Sequence, residues 1–178
     1  ILQNSPDFKV ENPGDHLASY LRINRDLRRK NDSSIAALAL ETSPRLLWQG
    51  PFKQLVNSAV EAGFADRRTY LYKGDSVDFQ THLGFDLAST SAAPVLAANS
   101  GQVAHAGYLG IYGNCVILDH GMGLQSLYAH LSSIGVQRGD SVRMNQELGR
   151  SGTTGLAGGD HLHFTMLLGG RTWSGSRG

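Results

Sequence analysis

The chain has 178 residues, enough for one domain with an extension or for two small domains. Its 16 Lys and Arg stand against 15 Asp and Glu, and a net charge of +1 argues against a protein built to coat nucleic acid, which needs a concentrated basic excess. Apolar residues make up 40%, sufficient for an ordinary core, and 22 glycines against 5 prolines point to the tight turns that join short strands.

A single cysteine, Cys115, excludes an internal disulfide and fits either a reducing or an oxidising compartment. The apolar run Ile35 to Leu40 falls far short of the ~18 residues of a membrane span. The chain starts at Ile1 without an initiator Met or a signal-peptide pattern and reads as a fragment, with any signal or membrane anchor lying upstream.

Residues 15 to about 42 carry helical signals. Asp15 is placed as an N-cap, and Leu17, Tyr20, Leu21 and Leu27 follow at roughly helical spacing. The segment Asn31-Asp32-Ser33-Ser34 is suited to cap a second helix carrying Ile35, Leu38 and Ala39. The basic run Arg22 to Lys30 reads as a solvated helix face. From Trp48 onward the pattern turns to β. Arg67–Tyr72 and Ser76–Gln80 flank Lys73-Gly74-Asp75, which has the composition of a hairpin turn. Further short strands are expected at 94–97, 101–106, 114–118, 125–128, 140–142, 147–150 and 161–168. Almost every gap between them holds Gly, Asn, Asp or Ser, the signature of a sandwich or barrel-like β fold.

Seven histidines are present, and three of them fall into two compact patterns: His82-Leu83-Gly84-Phe85-Asp86 and His161-Leu162-His163. On a strand His161 and His163 point the same way, which stands two imidazoles side by side. In extended chain His82 and Asp86 also share a face, and Gly84 permits the bend that would bring them to one point. Imidazole and carboxylate are suitable zinc ligands, and catalytic zinc sites typically use three protein ligands with a fourth position for water. His130, in Tyr128-Ala129-His130-Leu131, is placed as a proton carrier beside such a site, and Tyr128 two residues earlier would share its face.

In the order of these motifs the chain resembles the lysostaphin-like (LytM-type) zinc peptidoglycan endopeptidases, whose pattern is His-x-x-x-Asp, then Tyr-Ala-His-Leu, then His-x-His. The linking text, Pro94 to Val142 and Leu148 to Phe164, is similar as well, and the resemblance covers about residues 64 to 170. It implies a mainly antiparallel β fold of the lysostaphin-like or duplicated-hybrid-motif kind with an α-helical N-terminal extension: a helical region at 1–47 and a metallopeptidase domain at 48–178. It implies that His82, Asp86 and His163 hold one zinc ion per chain, with His130 and His161 as catalytic partners facing a metal-bound water. The implied activity is hydrolysis of peptide crosslinks in bacterial peptidoglycan, by analogy D,D-endopeptidase, in the periplasm or outside the cell. The partner is then the peptidoglycan peptide and no nucleic acid.

Two departures from the family pattern stand out. Asp160 precedes His161 where Pro is usual, which would place a carboxylate near the site. The end, Arg171 to Gly178, lacks the family's Asn-Pro or Asp-Pro segment. Some family members are non-catalytic binding or amidase-activator modules that have lost site residues; all five positions are kept here. A lipoyl carrier is disfavoured because no lysine follows Lys73, and a phosphotransfer histidine would not need the His82 and Asp86 pair. The other polar residues read as structural: His120 in a hairpin turn, His105 on a strand, His16 solvated, Cys115 a buried thiol and Ser151 without a nucleophile-elbow pattern.

Overall fold

The computed structural model describes residues 6–8 and 15–172; the terminal segment Trp173–Gly178, where the departure from the family pattern lies, is outside them. Asp15 caps the first helix, its Oδ1 accepting from the Ala18 N–H at 2.9 Å. From there α1 (His16–Leu21), a π-helical stretch (Arg22–Leu27), α2 (Arg28–Leu38) and a 3-10 turn (Ala39–Glu41) follow without a break. Asn31–Ser34 therefore lie inside α2 and do not cap a second helix. Ser33 and Ser34 turn their hydroxyls back onto the Arg29 and Lys30 carbonyls, and the Asn31 side-chain oxygen accepts from the Ile111 N–H, so these side chains do not divert the helix ladder. Nor is the basic run simply a solvated face: Arg25 pairs with buried Asp78 at 2.9 Å and Arg28 is half-buried.

The strands begin later than Trp48. Residues 42–51 form no strand but are tied down by both side chains and backbone: the Asp119 carboxylate accepts from Thr42 and Ser43, the Asn99 amide bonds to the backbone of Gln49, the Leu47 N–H donates to the His120 carbonyl and the Ser43 carbonyl accepts from the Met122 N–H. The strands are β1 (Ala59–Ala62), β2 (Asp66–Tyr72), β3 (Asp75–His82), β4 (Phe85–Ala88), β5 (Pro94–Leu96), β6 (Gly101–Tyr108), β7 (Asn114–Asp119), β8 (Leu124–Leu131), β9 (Ser133–Ile134), β10 (Ser141–Val142), β11 (Glu147–Arg150), β12 (Leu162–Leu168) and β13 (Arg171–Thr172). The β2–β3 turn is the two-residue Lys73-Gly74, both with positive φ (52° and 94°), the twist that a tight hairpin requires.

The main sheet runs β1-β4-β12-β8-β7-β6-β10, with β13 on β12. One face packs on the small β5-β11-β9 sheet through Leu87, Val95, Val116, Tyr128, Leu148 and Leu162. The other face packs under α2, where Ile35 meets Cys115, Ile117, Leu127, Ala129 and Leu167. With both faces covered, β7 has to be apolar on both sides, which explains the unbroken run Cys115-Val116-Ile117-Leu118 where a one-sided strand would alternate. A third cluster, Phe8, Ile23 and Ile111, ties the helical segment to the 3-10 turn Gly110–Tyr112. No helix among the described residues is long and apolar enough to cross a membrane.

Candidate metal centre

His82 and Asp86 do not sit on one strand. His82 ends β3 in the two-stranded β2–β3 sheet, whereas Asp86 lies in β4 of the main sheet, in register with His163 of β12. The chain breaks direction at Leu83-Gly84. Gly84 is needed there for space and not for an unusual backbone angle: a Cβ would lie 2.6 Å from His163 Cε1, 2.7 Å from His163 Nε2 and 2.8 Å from the Phe164 carbonyl oxygen. The Cε1–Nε2 edge of the His163 ring thus occupies space that only glycine leaves free.

Three donor atoms converge. His82 Nε2 lies 2.9 Å from Asp86 Oδ1 and 3.1 Å from His163 Nδ1, and the last two are 3.0 Å apart. The second oxygen of Asp86 accepts from Arg68 Nη2 at 3.1 Å, which turns Oδ1 toward the imidazoles. His82 Nδ1 lies 3.0 Å from the Gly63 carbonyl oxygen. A carbonyl only accepts, so Nδ1 carries the proton and Nε2 presents a lone pair. Two lone pairs and a carboxylate oxygen then share one corner with a single proton at most, from His163, to offset them. A cation fits this donor set. A tetrahedral zinc with ligand distances of about 2.0–2.1 Å has donor–donor edges of about 3.3 Å, close to the edges of this triangle.

Two further imidazoles border the cluster in the same tautomer. His130 Nδ1 donates to the Thr154 carbonyl at 2.8 Å and His161 Nδ1 to the Gly159 carbonyl at 2.9 Å. Their rings are 4.8 Å apart, and His161 Nε2 is 3.6 Å from Asp86 Oδ1. His130 has φ 64° at the penultimate position of β8, uncommon for a residue with a side chain. The cause is a β-bulge: Asn114 pairs with Leu131 but Val116 with Tyr128, so β8 gains one residue opposite Cys115.

That bulge corrects the expectation for Tyr128, which does not share the face of His130. Its ring lies in the core, and its hydroxyl accepts from the Ala98 N–H at 2.8 Å and bonds to Ser126 at 3.0 Å. Asp160 does place a carboxylate beside His161, as expected, but its oxygens are engaged elsewhere. Ser151 and Ser91 hydroxyls and the Ala92 N–H donate to its two oxygens, so it staples the approach to His161 onto the β4–β5 loop and is not one of the converging donors.

Electrostatics follow from burial. Burial acts to raise the Asp86 carboxyl, but the neighbouring His163 and His82 imidazoles outweigh it and hold the group well below the usual carboxylate range. Burial lowers His163 against the pull of Asp86. Burial, with the His163 and His161 imidazoles behind it, pushes His130 down to about 3, so it is neutral near pH 7.

The cluster opens into a cavity of about 160 Å³ lined also by Arg28, Ile111, Tyr112 and Leu156. An adjoining cavity of about 330 Å³ shares Arg28, His82, Tyr112 and His163 and runs on past Phe79 and Gln80. A larger space of about 400 Å³ under α2 carries none of the four histidines. Arg68, Tyr112 and Thr154 were not marked by the sequence. None of the three had a signal: the Lys73-Gly74 turn alone would set Arg68 opposite Phe79, and the register shift between Tyr70 and Leu71 is what brings it opposite Gln80, two residues from His82. The remaining histidines are elsewhere. His120 is fully buried between the Ser100 carbonyl and the Ser126 hydroxyl, each 2.7 Å away, His105 lies on β6, and His16 is exposed. Cys115 is buried, its thiol pushed up to about 12. Ser151 bonds Asp160 and the Ala93 N–H.

The model of peptidase family M23 matches residues 80–174, and the chain belongs to that family. It is 28% identical over 164 residues to the Vibrio cholerae peptidoglycan DD-endopeptidase ShyA, covering 92% of this chain and 35% of that protein. Among solved structures it is similar to a peptidase M23 from Pseudomonas aeruginosa (TM-score 0.65, 27% identity, 88% of this chain and 60% of the other). It is also similar to a zinc-containing peptidase from Vibrio cholerae (TM-score 0.58, 29% identity, 72% of this chain and 38% of the other). The mainly antiparallel fold with an N-terminal helix is theirs as well. The chain spans about a fifth to a third of the length of the curated relatives it matches.

Proposed function

We propose that the protein is a zinc-dependent endopeptidase that hydrolyses peptide crosslinks of bacterial peptidoglycan, with D,D specificity, in the periplasm or outside the cell. The reading rests above all on the convergence of His82 Nε2, Asp86 Oδ1 and His163 Nδ1 within 3.1 Å of one another, beside two imidazoles that turn Nε2 toward them. Those three residues would hold the ion. Residues 1–47 are the helical region of this reading and 48–178 the peptidase domain.

Zinc supplies a Lewis acid that polarises the peptide carbonyl and brings the pKa of a water from about 15.7 toward about 7. The protein's part is orientation and proton handling. Arg68 fixes the Asp86 carboxylate, and the Gly63 carbonyl fixes the His82 ring. His130 and His161 meet water as acceptors. One of them takes the proton from water and passes it to the leaving amine. Water oxygen ends on the carbonyl carbon, the C–N bond breaks, and the amine departs with the proton.

Digestion of purified peptidoglycan with and without a chelator, read by mass spectrometry, is the test. Chelator-sensitive loss of crosslinked species is expected. His163→Ala should lose both zinc and activity, and full activity in that variant would sink the assignment. His130→Ala and His161→Ala should keep zinc and lose turnover. Bound zinc without cleavage would instead indicate a binding or activator module.

A further inference from the structure

We propose that Arg28 of α2 is a specificity residue that binds a free carboxylate on the amine side of the scissile bond, an inference that rests on the endopeptidase reading above. Arg28 lines both the histidine cavity and its neighbour. Its guanidinium is fixed in place: Nε donates to the Asn24 carbonyl at 3.1 Å and Nη2 to the Asn24 side-chain oxygen at 2.9 Å. Asn24 is fully buried and is held in turn by Asp78, to which its Nδ2 donates at 2.7 Å. This chain orients Arg28 without neutralising it, because Asn24 carries no charge and Asp78 pairs with Arg25.

The contrast with the other cation at the cluster is informative. Arg68 pairs with Asp86 and with Asp66. Among the described residues no carboxylate lies within ion-pair distance of Arg28; Asp32, one helical turn on, acts on it only at longer range and accepts from the Tyr112 hydroxyl at 3.1 Å. A guanidinium has five donors, of which two are used here. A half-buried, pre-oriented guanidinium with spare donors facing a reaction cavity is suited to bind a carboxylate.

Crosslink chemistry says which carboxylate. The acyl side of a D,D-crosslink is a D-alanyl carbonyl and carries no charge. On the amine side the nitrogen belongs to a diamino acid. In diaminopimelate the carbon bearing that nitrogen also bears a carboxylate, whereas in lysine it bears none. Arg28 therefore selects crosslinks of the first type.

The test uses two peptides with the same D-alanyl acyl side, one ending in a D-amino acid with its carboxylate free and the other in its carboxamide. The intact protein should cleave the acid with a KM lower by roughly 10- to 100-fold and a similar kcat, as one charge-assisted hydrogen-bonded contact allows. Arg28→Ala should bind and cleave both alike, with unchanged zinc content, and Arg28→Lys should recover part of the preference. Calorimetric binding of the amine-side fragment should show the same loss. Retained acid preference in Arg28→Ala would overturn the proposal, as would equal cleavage of both peptides by the intact protein. Faster cleavage of both by Arg28→Ala would also overturn it and would make α2 a cover over the site. Failure of the intact protein to cut either peptide would remove the endopeptidase reading and this inference with it.

Discussion

Gly84→Ala tests the geometry of the cluster without touching a donor atom. The new methyl would sit 2.6 Å from His163 Cε1, where ordinary contact begins at 3.4 Å, so the ring must retreat by 0.8 Å (3.4 minus 2.6) or tip. The Phe164 carbonyl at 2.8 Å closes the other escape, since it belongs to the β12 ladder. A shift of that size is about a quarter of the 3.0–3.1 Å that separates His163 Nδ1 from its neighbours. Disturbing the support of a metal ligand typically weakens metal affinity about 10- to 100-fold, and a misplacement of about 1 Å can reduce turnover about 100-fold. Zinc affinity should be read by competition with a chromophoric chelator, and folding by chemical denaturation. Gly135→Ala is the control, because a Cβ there makes only ordinary contact, the nearest with the Leu148 carbonyl oxygen at 3.7 Å, and Gly135 touches no residue of the cluster. Wild-type zinc affinity in Gly84→Ala would show that His163 is not a ligand.

Tyr128→Phe should destabilise by about 1–3 kcal/mol in chemical denaturation, because the buried Ala98 N–H loses its acceptor, and should leave kcat unchanged. Burial works to raise the Asp78 carboxyl, but hydrogen bonds led by that of Arg25 hold it low. Its stabilising contribution is therefore full above the unfolded value of about 3.9 and is lost as pH falls through the lower folded value. Asp78→Asn should flatten that acid limb in denaturation curves collected across pH. Ile35→Ala should cost about 2–5 kcal/mol, since Ile35 is the α2 residue buried in the second core. Removal of residues 1–47 should yield aggregated, dye-binding protein instead of an activated enzyme, because it uncovers Cys115, Ile117, Leu127 and Leu167 together; a soluble, cooperatively folded product would refute this.

The sequence made the short strands legible because turn residues punctuate nearly every one, and Asp15 marked the first helix through its own chemistry. It failed where tertiary context overrode local signals. Asn31 looked like a cap because its side chain seeks a backbone N–H; the one it finds belongs to Ile111, distant in sequence. The strand β4 was missed because four residues between a glycine and a serine carry little periodicity, and it owes its existence to its neighbours β1 and β12. Arg28 was hidden in a basic run whose solvated reading holds for exposed Arg29 but not for half-buried Arg28, and whose exposed Arg25 pairs with buried Asp78.

His130 shows the limit most clearly. Period-two alternation puts His130 and Tyr128 on one face, and the small-sheet core is where Tyr128 points. Had the alternation held, an imidazole would lie in that core and the cavity would lose a wall. One extra residue in β8 opposite Cys115 breaks the alternation and turns His130 to the face that His163 shares with Ala129. The left-handed backbone at His130 is strain of order 1–3 kcal/mol, and the Thr154 carbonyl and the packing against His161 and His163 hold it in place. His tolerates the left-handed region better than most side chains, but that preference alone does not announce a bulge in Tyr128-Ala129-His130-Leu131. The position of this histidine is therefore a property of how β7 and β8 pair, and a sequence motif can mark it only where the same pairing is already known.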